Sequence, residues 1–466
     1  VTNSLAIPML ADLRDKGPYW VLNNYSDSLS KKVVTYQGVD KYAYLSDYSV
    51  FANAFHFWDF IAFTPLVRQA FSRVGVNGVM MGWGPDEHTT VYTASQYGLH
   101  VHASDWASNL STYSNFNVST HQKDNNDDTT VIPGKHTVCF VMTDGDNIQW
   151  LLNDFSTNPG WYGSHRRGAC NLGWTVSPAL AELAPTALKY LYDSAATSPG
   201  GRDYFICGPS GLGYYYPSNF NSLDSAAAIT QRMMKKAGLS ILNVISDGYS
   251  DSQMLPYLSQ PNIDAVFFYT YDYWYAGLRG FATCINGKPV ITPRFAFAGG
   301  VYDVQSLADT LNKMPPNPYS SDGYSLIAVN VWSKNIDSVI SCVNLLDTNV
   351  RVVTPDVFVK LYKAGVNCTT TAINSTVQNA ASLALSVSPN PARALALVNF
   401  TLPSTGIVTL SVYNMQGQEI NTVFNGQLAA GQQQVKILTG QLPAGVYICR
   451  LNYNGSSQTA TMVIAR

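Results

Sequence analysis

Between about residues 61 and 365, short apolar runs alternate with stretches of helical period. Gly78 to Trp83, Leu99 to Ala103, Thr137 to Thr143, Leu172 to Val176 and Tyr204 to Cys207 read as strands. So do Leu239 to Ser246, Ala265 to Thr270, Lys288 to Phe297, Ser325 to Trp332 and Val350 to Val353. Helical patterns intervene at Thr64 to Ser72, His88 to Tyr97, Ser225 to Ala237, Val304 to Lys313, Ile336 to Leu346 and Pro355 to Ala364. Strands that alternate with helices over such a length predict an α/β domain with a parallel sheet. Length and count favour a closed (β/α) TIM-like barrel over residues 61–365.

The flanks differ. Residues 1–60 form a short N-terminal segment in which Gly17 to Asn23 and Lys32 to Tyr36 read as strands. Residues 366–382 are Asn, Thr, Ser and Ala, a linker composition. From 383 to 466 alternation of period two with turn signals predicts an Ig-like β-sandwich.

Composition narrows the partners. Charged residues make up 12% of the 466 positions and net charge is −2, which gives no means of capturing nucleic acid electrostatically. No apolar run reaches the roughly 18 residues that span a bilayer. Val1 follows no signal peptide, as expected of a mature chain or one whose start was removed. The seven cysteines are widely spaced without a CxxC pair, against a structural zinc site. One disulfide among Cys170, Cys284, Cys342 and Cys368 is compatible with the spacing, without a choice of pair.

After the strand at Tyr204 to Cys207 comes Gly208-Pro-Ser-Gly-Leu-Gly-Tyr-Tyr-Tyr-Pro217. Its glycines permit close backbone approach, and tyrosines offer the flat apolar face and hydroxyl that suit a sugar ring. The spacing Gly211-x-Gly213-Tyr214-x-Tyr216-Pro217 resembles the signature of the GxGYxYP family of proposed glycoside hydrolases. Gly82-Trp-Gly-Pro-Asp-Glu87, Ser104-Asp-Trp-Ala-Ser-Asn-Leu110, Met142-Thr-Asp-Gly-Asp-Asn147 and Gly173-Trp-Thr-Val-Ser-Pro-Ala-Leu180 are similar to that family too. The resemblance covers about residues 40–365 and implies that the N-terminal segment is a shortened or remnant N-terminal domain. Pro389-Asn-Pro391, Leu410-Ser-Val-Tyr-Asn-Met-Gln-Gly417, Leu442-Pro-Ala-Gly-Val-Tyr447 and Met462-Val-Ile-Ala-Arg466 resemble the C-terminal sorting domain of the type IX secretion system. That resemblance implies export from a Bacteroidota cell, with release or attachment at the outer-membrane surface, and the secretion machinery as a partner of residues 383–466.

In a parallel barrel, ligands meet the C-terminal strand ends, and here those ends carry carboxylates and aromatics. A glycosidase needs one carboxyl to protonate the leaving oxygen and a second as nucleophile or base. Asp144 and Asp146 are the sharpest pair, with Glu182, Asp247 or Asp272 as partner. Trp83, Glu87, Asp105, Trp106, Asn147, Tyr214, Tyr216, Tyr271 and Trp332 are the expected glycan contacts. Glu87, Glu182 and Glu419 are the only glutamates beside 27 aspartates. Each carboxylate also has a plainer reading: a turn or helix cap for Asp144-Gly-Asp146, a solvated helix residue for Glu182, a helix N-terminal charge for Glu87. His100 and His102 share one face of a strand, which suits core histidines more often than ligands. No metal or cofactor is expected, a divalent cation at Asp144 and Asp146 being the exception to weigh. The sequence therefore points to a secreted, surface-associated glycoside hydrolase. The alternatives are a non-catalytic glycan-binding or structural protein, and a metal-dependent carbohydrate deacetylase using Asp144, Asp146 and a histidine.

Overall fold

The computed structural model describes residues 16–41, 43–271, 273–368, 385–402, 406–414, 419–440, 442–453 and 456–465. The chain divides into two compact units near residue 370.

The first unit holds two separate sheets. Strands Phe55–Phe57, Val33–Tyr36, Gly78–Gly82 and Leu99–Ala103 lie in that order, all parallel. Helix Pro65–Ser72 enters with Thr64 as cap, its hydroxyl accepting from the Val67 N–H at 3.3 Å, and with Pro65 in the first turn. One face of the sheet buries Val34, Tyr36, Met80 and Val101 with Val67, Phe71 and Val91. Truncating a buried phenylalanine such as Phe71 costs about 3–5 kcal/mol.

This sheet corrects two expectations. Gly17 to Asn23 is not a strand: Pro18–Tyr25 is a helix with proline in its first turn. A short apolar run carries no periodicity long enough to separate the two states. Nor does a boundary fall at residue 60, because the strands at 33–36 and 55–57 share a sheet with those at 78–82 and 99–103. The βα rhythm runs unbroken through both sheets, and rhythm does not say which strands pair.

The larger sheet runs in the order Ala282–Ile285, Lys288–Ile291, Ala265–Thr270, Ile241–Ser246, Gly201–Cys207, Leu172–Val176, His136–Met142, Tyr324–Val329 and Pro293–Phe297. Val350–Val352 also pairs with His136–Met142, and Thr197–Ser198 with Gly201–Cys207. Pairing is parallel except in the 282–291 hairpin and the short 197–202 turn. All seven residues of His136–Met142 are buried, as a parallel strand covered on both faces requires.

The polar stretch 114–135 contains no helix or strand but is anchored to the large sheet. Gln122 donates to the Phe205 carbonyl at 3.1 Å and accepts from the Phe205 N–H at 3.0 Å. Cys284 and Cys368 form a disulfide; Cys139, Cys170, Cys207, Cys342 and Cys449 are free and buried.

Among the described residues the named strands of the second unit all pair antiparallel. Ser386–Ser388, Leu395–Leu402 and Gly431–Leu438 form one sheet; Glu419–Leu428, Gly406–Asn414, Gly445–Tyr453 and Ser456–Ile464 form the other. Alternation along Leu395–Leu402 sends Ala396, Val398, Phe400 and Leu402 into a core shared with Leu410, Leu451 and Met462.

Candidate active site

A cavity of about 220 Å³ opens where the two sheets of the first unit meet. Two backbone bridges hold that junction. Val101 and Tyr214 exchange N–H to carbonyl bonds of 2.9 and 2.8 Å, and Ala103 pairs with Asn147. The tyrosine loop can lie against the small sheet only because of its glycines. A Cβ on Gly213 would sit 2.6 Å from the His102 ring and 2.8 Å from the Val101 carbonyl oxygen. Gly211 has φ +132, and a Cβ there would sit 2.2 Å from the Thr230 hydroxyl.

Asp144 and Asp146 come from the turn after His136–Met142. Asp144 takes a left-handed φ of 70, and the Asn147 N–H returns to its carbonyl at 3.1 Å. Gly145 donates to the Thr175 hydroxyl at 2.8 Å, with no room for a side chain against the Thr175 backbone. Glu87 begins helix Glu87–Gln96, behind Asp86, whose carboxylate caps the helix by accepting from the Thr89 N–H at 2.8 Å. Trp83, Asn147, Gln149, Tyr214, Ile245, Tyr275 and Trp332 complete the wall.

Hydrogen bonds distinguish the three acids. The Trp332 indole N–H donates to Asp144 Oδ1 at 2.7 Å, and the Thr143 hydroxyl donates to Oδ2. Trp332 is steadied by Trp150 and Trp161, whose rings lie 5.3 and 5.7 Å away. The Tyr214 hydroxyl donates to Glu87 Oε1 at 3.0 Å. Asp146 is buried, with no side-chain donor among the described residues.

Burial raises all three carboxyls. For Asp144 the Thr143 and Trp332 hydrogen bonds oppose that rise; for Glu87 the Tyr214 bond does so. Asp146 goes well above the usual carboxylate range, pushed first by burial and then by the charges of Asp144 and Glu87. Close carboxyls in one low-dielectric cavity oppose each other's ionisation, and Asp146 is pushed furthest toward its protonated form.

The other expected residues are dispersed. Asp247 lies beside the cavity rather than in its wall and pairs with His88 at 3.2 Å. The His88 ring is 5.5 Å from Tyr216 and 5.1 Å from Tyr271. Asp105 pairs with Lys41, whose ammonium lies 4.8 Å from the centroid of the exposed Trp106 ring. Glu182 is absent from the site, exposed and bonded to Lys236 at 3.0 Å. One helical turn after the strand carries it outward. Asp272 lies outside the described residues. Gln149, Ile245 and Tyr275 escaped the sequence reading. Tyr275 enters the wall from a turn with φ 76, and only the clustering of aromatics after Thr270 could have pointed to it.

His100 and His102 are core residues. Burial pushes them down to about 3 and about 4. His100 Nε2 lies 3.3 Å from the Asn77 side-chain oxygen, and His102 Nε2 donates to the Leu212 carbonyl at 2.9 Å. Among the described residues no group of three or more His, Cys, Asp or Glu has the arrangement of a metal site.

The first unit is thus a parallel-strand α/β unit with a carboxyl-lined cavity beside a glycine-tyrosine loop. Residues 134–363 match the GxGYxYP putative glycoside hydrolase C-terminal domain, and residues 31–115 match the GxGYxYP third domain. A solved structure described as a putative hydrolase from Bacteroides thetaiotaomicron VPI-5482 is 30% identical. The alignment covers 77% of this chain and 71% of that one, with a TM-score of 0.68. The chain belongs to the GxGYxYP family. An engineered protein also aligns, at 10% identity over 71% of this chain and 86% of that one, but its TM-score of 0.25 carries no argument. No match is found among curated proteins. Residues 386–465 match the secretion system C-terminal sorting domain. The protein is therefore one that type IX secretion exports, to the medium or the cell surface. Among the described residues no helix is long and apolar enough to cross a membrane.

Proposed function

We propose that the protein hydrolyses glycosidic bonds in the cavity between Trp83, Glu87, Asp144, Asp146, Tyr214 and Trp332. The observation that carries this reading is the convergence of three carboxyls with unequal hydrogen bonding on one aromatic-walled cavity. Asp146, which retains its proton, is the general acid for the leaving oxygen. Asp144, whose ionised form is favoured by the Trp332 and Thr143 hydrogen bonds against the effect of burial, acts as nucleophile or base on the opposite side. Glu87 shares the cavity's negative charge and stabilises the positive charge that develops on the sugar ring. Trp83, Tyr214, Tyr275 and Trp332 supply faces and hydroxyls for the sugar. At about 220 Å³ the cavity is below the roughly 300–1,000 Å³ of drug-sized sites, which suits one sugar unit at a time.

Asp247 with His88, Tyr216 and Tyr271 is assigned to the rim of this site, and Asp105 with Trp106 to its outer approach. The large sheet is read as a barrel. Lys288–Ile291 pairs with the strand ending at Thr270, Pro293–Phe297 pairs with the strand ending at Val329, and only Thr292 stands between them. That continuity supports closure of the parallel strands into a ring with the acids at its C-terminal mouth. The domains are accordingly assigned as residues 31–115, 134–363 and 386–465.

A deacetylase would need a histidine beside Asp144 and Asp146, and the described lining contains none. The test is turnover on a panel of α- and β-linked glycans by the full chain and by Asp144→Asn, Asp146→Asn and Glu87→Gln. Loss of at least about 10²-fold in each variant is expected. No turnover of any glycan by the unmodified chain, or full activity in Asp146→Asn, would sink the reading.

A further inference from the structure

A second cavity of the first unit lies elsewhere. It measures about 1640 Å³ and shares no lining residue with the carboxyl-lined one. Its roof is a face of the small parallel sheet, through Val33, Val79, Met81 and His102. Parallel sheets ordinarily have both faces packed, yet on this face Val33 and Val79 are only half-buried. Across the cavity are Leu212 and residues of helices Leu180–Leu183 and Leu223–Ala237.

We propose that this cleft is a second glycan-binding site, which takes an acidic polysaccharide through its uronate or sulfate groups. The proposal rests on the glycan-active reading above, and two independent features carry it.

The first is charge. The whole chain has 28 Lys and Arg against 30 Asp and Glu, but among the described residues this cleft draws on Lys31, Lys32, Arg232, Lys235 and Lys236, with Glu182 as its one carboxylate. Glu182 is already bonded to Lys236 at 3.0 Å. Lys32, Arg232 and Lys235 have no ion-pair partner among the described residues, so their charge is available to a ligand. Clefts lined by one sign of charge focus the field and raise the local concentration of oppositely charged groups.

The second is His102. It is 4% exposed, lines the cleft, and its Nδ1 has no hydrogen-bond partner among the described residues. Nε2 faces the Leu212 carbonyl, which can only accept, so Nε2 holds the proton and Nδ1 is left as an acceptor. Burial keeps the ring neutral. A buried acceptor without a donor is costly, and a sugar hydroxyl supplies that donor. Acidic polysaccharides bring hydroxyls and anions together, whereas the backbone of DNA brings only acceptors.

The test is calorimetric titration in 0.15 M salt, with the full chain carrying Glu87→Gln so that no probe is consumed. The probes are an oligogalacturonate, a chondroitin sulfate oligosaccharide, maltohexaose and a single-stranded DNA. Binding of the oligogalacturonate, the sulfated oligosaccharide or both is expected, with maltohexaose and DNA at least tenfold weaker. Arg232→Ala with Lys235→Ala, both on an exposed helix face, should weaken acidic-glycan binding at least tenfold without lowering Tm. His102→Gln, which keeps an acceptor, should retain more affinity than His102→Phe. No binding of either acidic glycan, equal binding of DNA or maltohexaose, or affinity untouched by the double variant overturns the proposal. These readouts are of binding alone, so a chain that binds here but turns over no glycan would refute the hydrolase reading only.

Discussion

The Tyr214 hydroxyl donates to Glu87 Oε1 at 3.0 Å although 127 residues separate the two. One belongs to the glycine-tyrosine loop after the strand ending at Cys207, the other to a helix of the small sheet. The bond joins the family signature to a carboxyl from a different sheet, and it lowers a carboxyl that burial raises.

Tyr214→Phe removes that donor and leaves the ring. Glu87 should then rise further, and the acid limb of the kcat/KM profile should move to higher pH. A fall of about tenfold in kcat/KM at neutral pH is expected, consistent with loss of a hydrogen bond to a charged group. A pH–rate profile identical to that of the unmodified chain would count against any electrostatic role for the pair.

Asp146→Asn should abolish turnover and stabilise the chain. Its folded-state pKa is raised by burial and by Asp144 and Glu87, so ionising it works against folding. That penalty is absent below the ordinary value near 3.8 and grows as pH rises toward the raised one. Thermal melts should show the variant above the unmodified chain at pH 7, with the difference closing toward pH 4.

Trp332→Phe keeps an aromatic ring against Trp150 and Trp161 but loses the N–H on Asp144. Asp144 should become harder to ionise, shifting the acid limb upward and lowering kcat/KM by about 10²-fold, the low end of what losing a preorganised donor costs. Tm should change little. Equal losses of Tm and activity would mean that the indole serves packing alone.

The His88–Asp247 pair gives a second pH dependence of the same sign, since its contribution also falls as pH rises. His88 is raised from 6.5 chiefly by its bond to Asp247. Stability from the pair is therefore full below about 6.5 and fades as pH climbs through the raised value. Both side chains are more than a third exposed, which limits the pair to about 0.2–1 kcal/mol. Asp247→Asn should lower Tm at pH 6 and have no effect at pH 9.

The Cys284–Cys368 disulfide closes a separation of 84 residues. Chain entropy for such a loop corresponds to about 4–5 kcal/mol in the simplest account. Cys284→Ser with Cys368→Ser should cut Tm by several degrees, measured without reductant. The buried thiols Cys139 and Cys207 should stay unreactive to alkylation until the chain unfolds.

The sequence made part of this site legible and concealed the rest for definite reasons. Strand ends predict themselves from local apolar runs, so Asp144, Asp146, Trp332 and Tyr214 could be nominated together. Glu182 failed because a single turn of helix reverses the direction of a side chain, and sequence distance from the strand does not record it. Glu87 stood only as a substrate contact, since nothing local tells a helix-capping charge from a site carboxyl. Tyr275 depends on a left-handed turn. The allotment of strands to two sheets rests on pairing between distant segments, visible at the Val101–Tyr214 bridge and not in any window of the chain.

The acids of the cavity come from two separately hydrogen-bonded sheets, and this has a bearing on the journey across the envelope. A chain threaded through or arrested partway cannot assemble the trio, since neither sheet holds it whole. The cavity and its three acids therefore exist only once both sheets have formed and met.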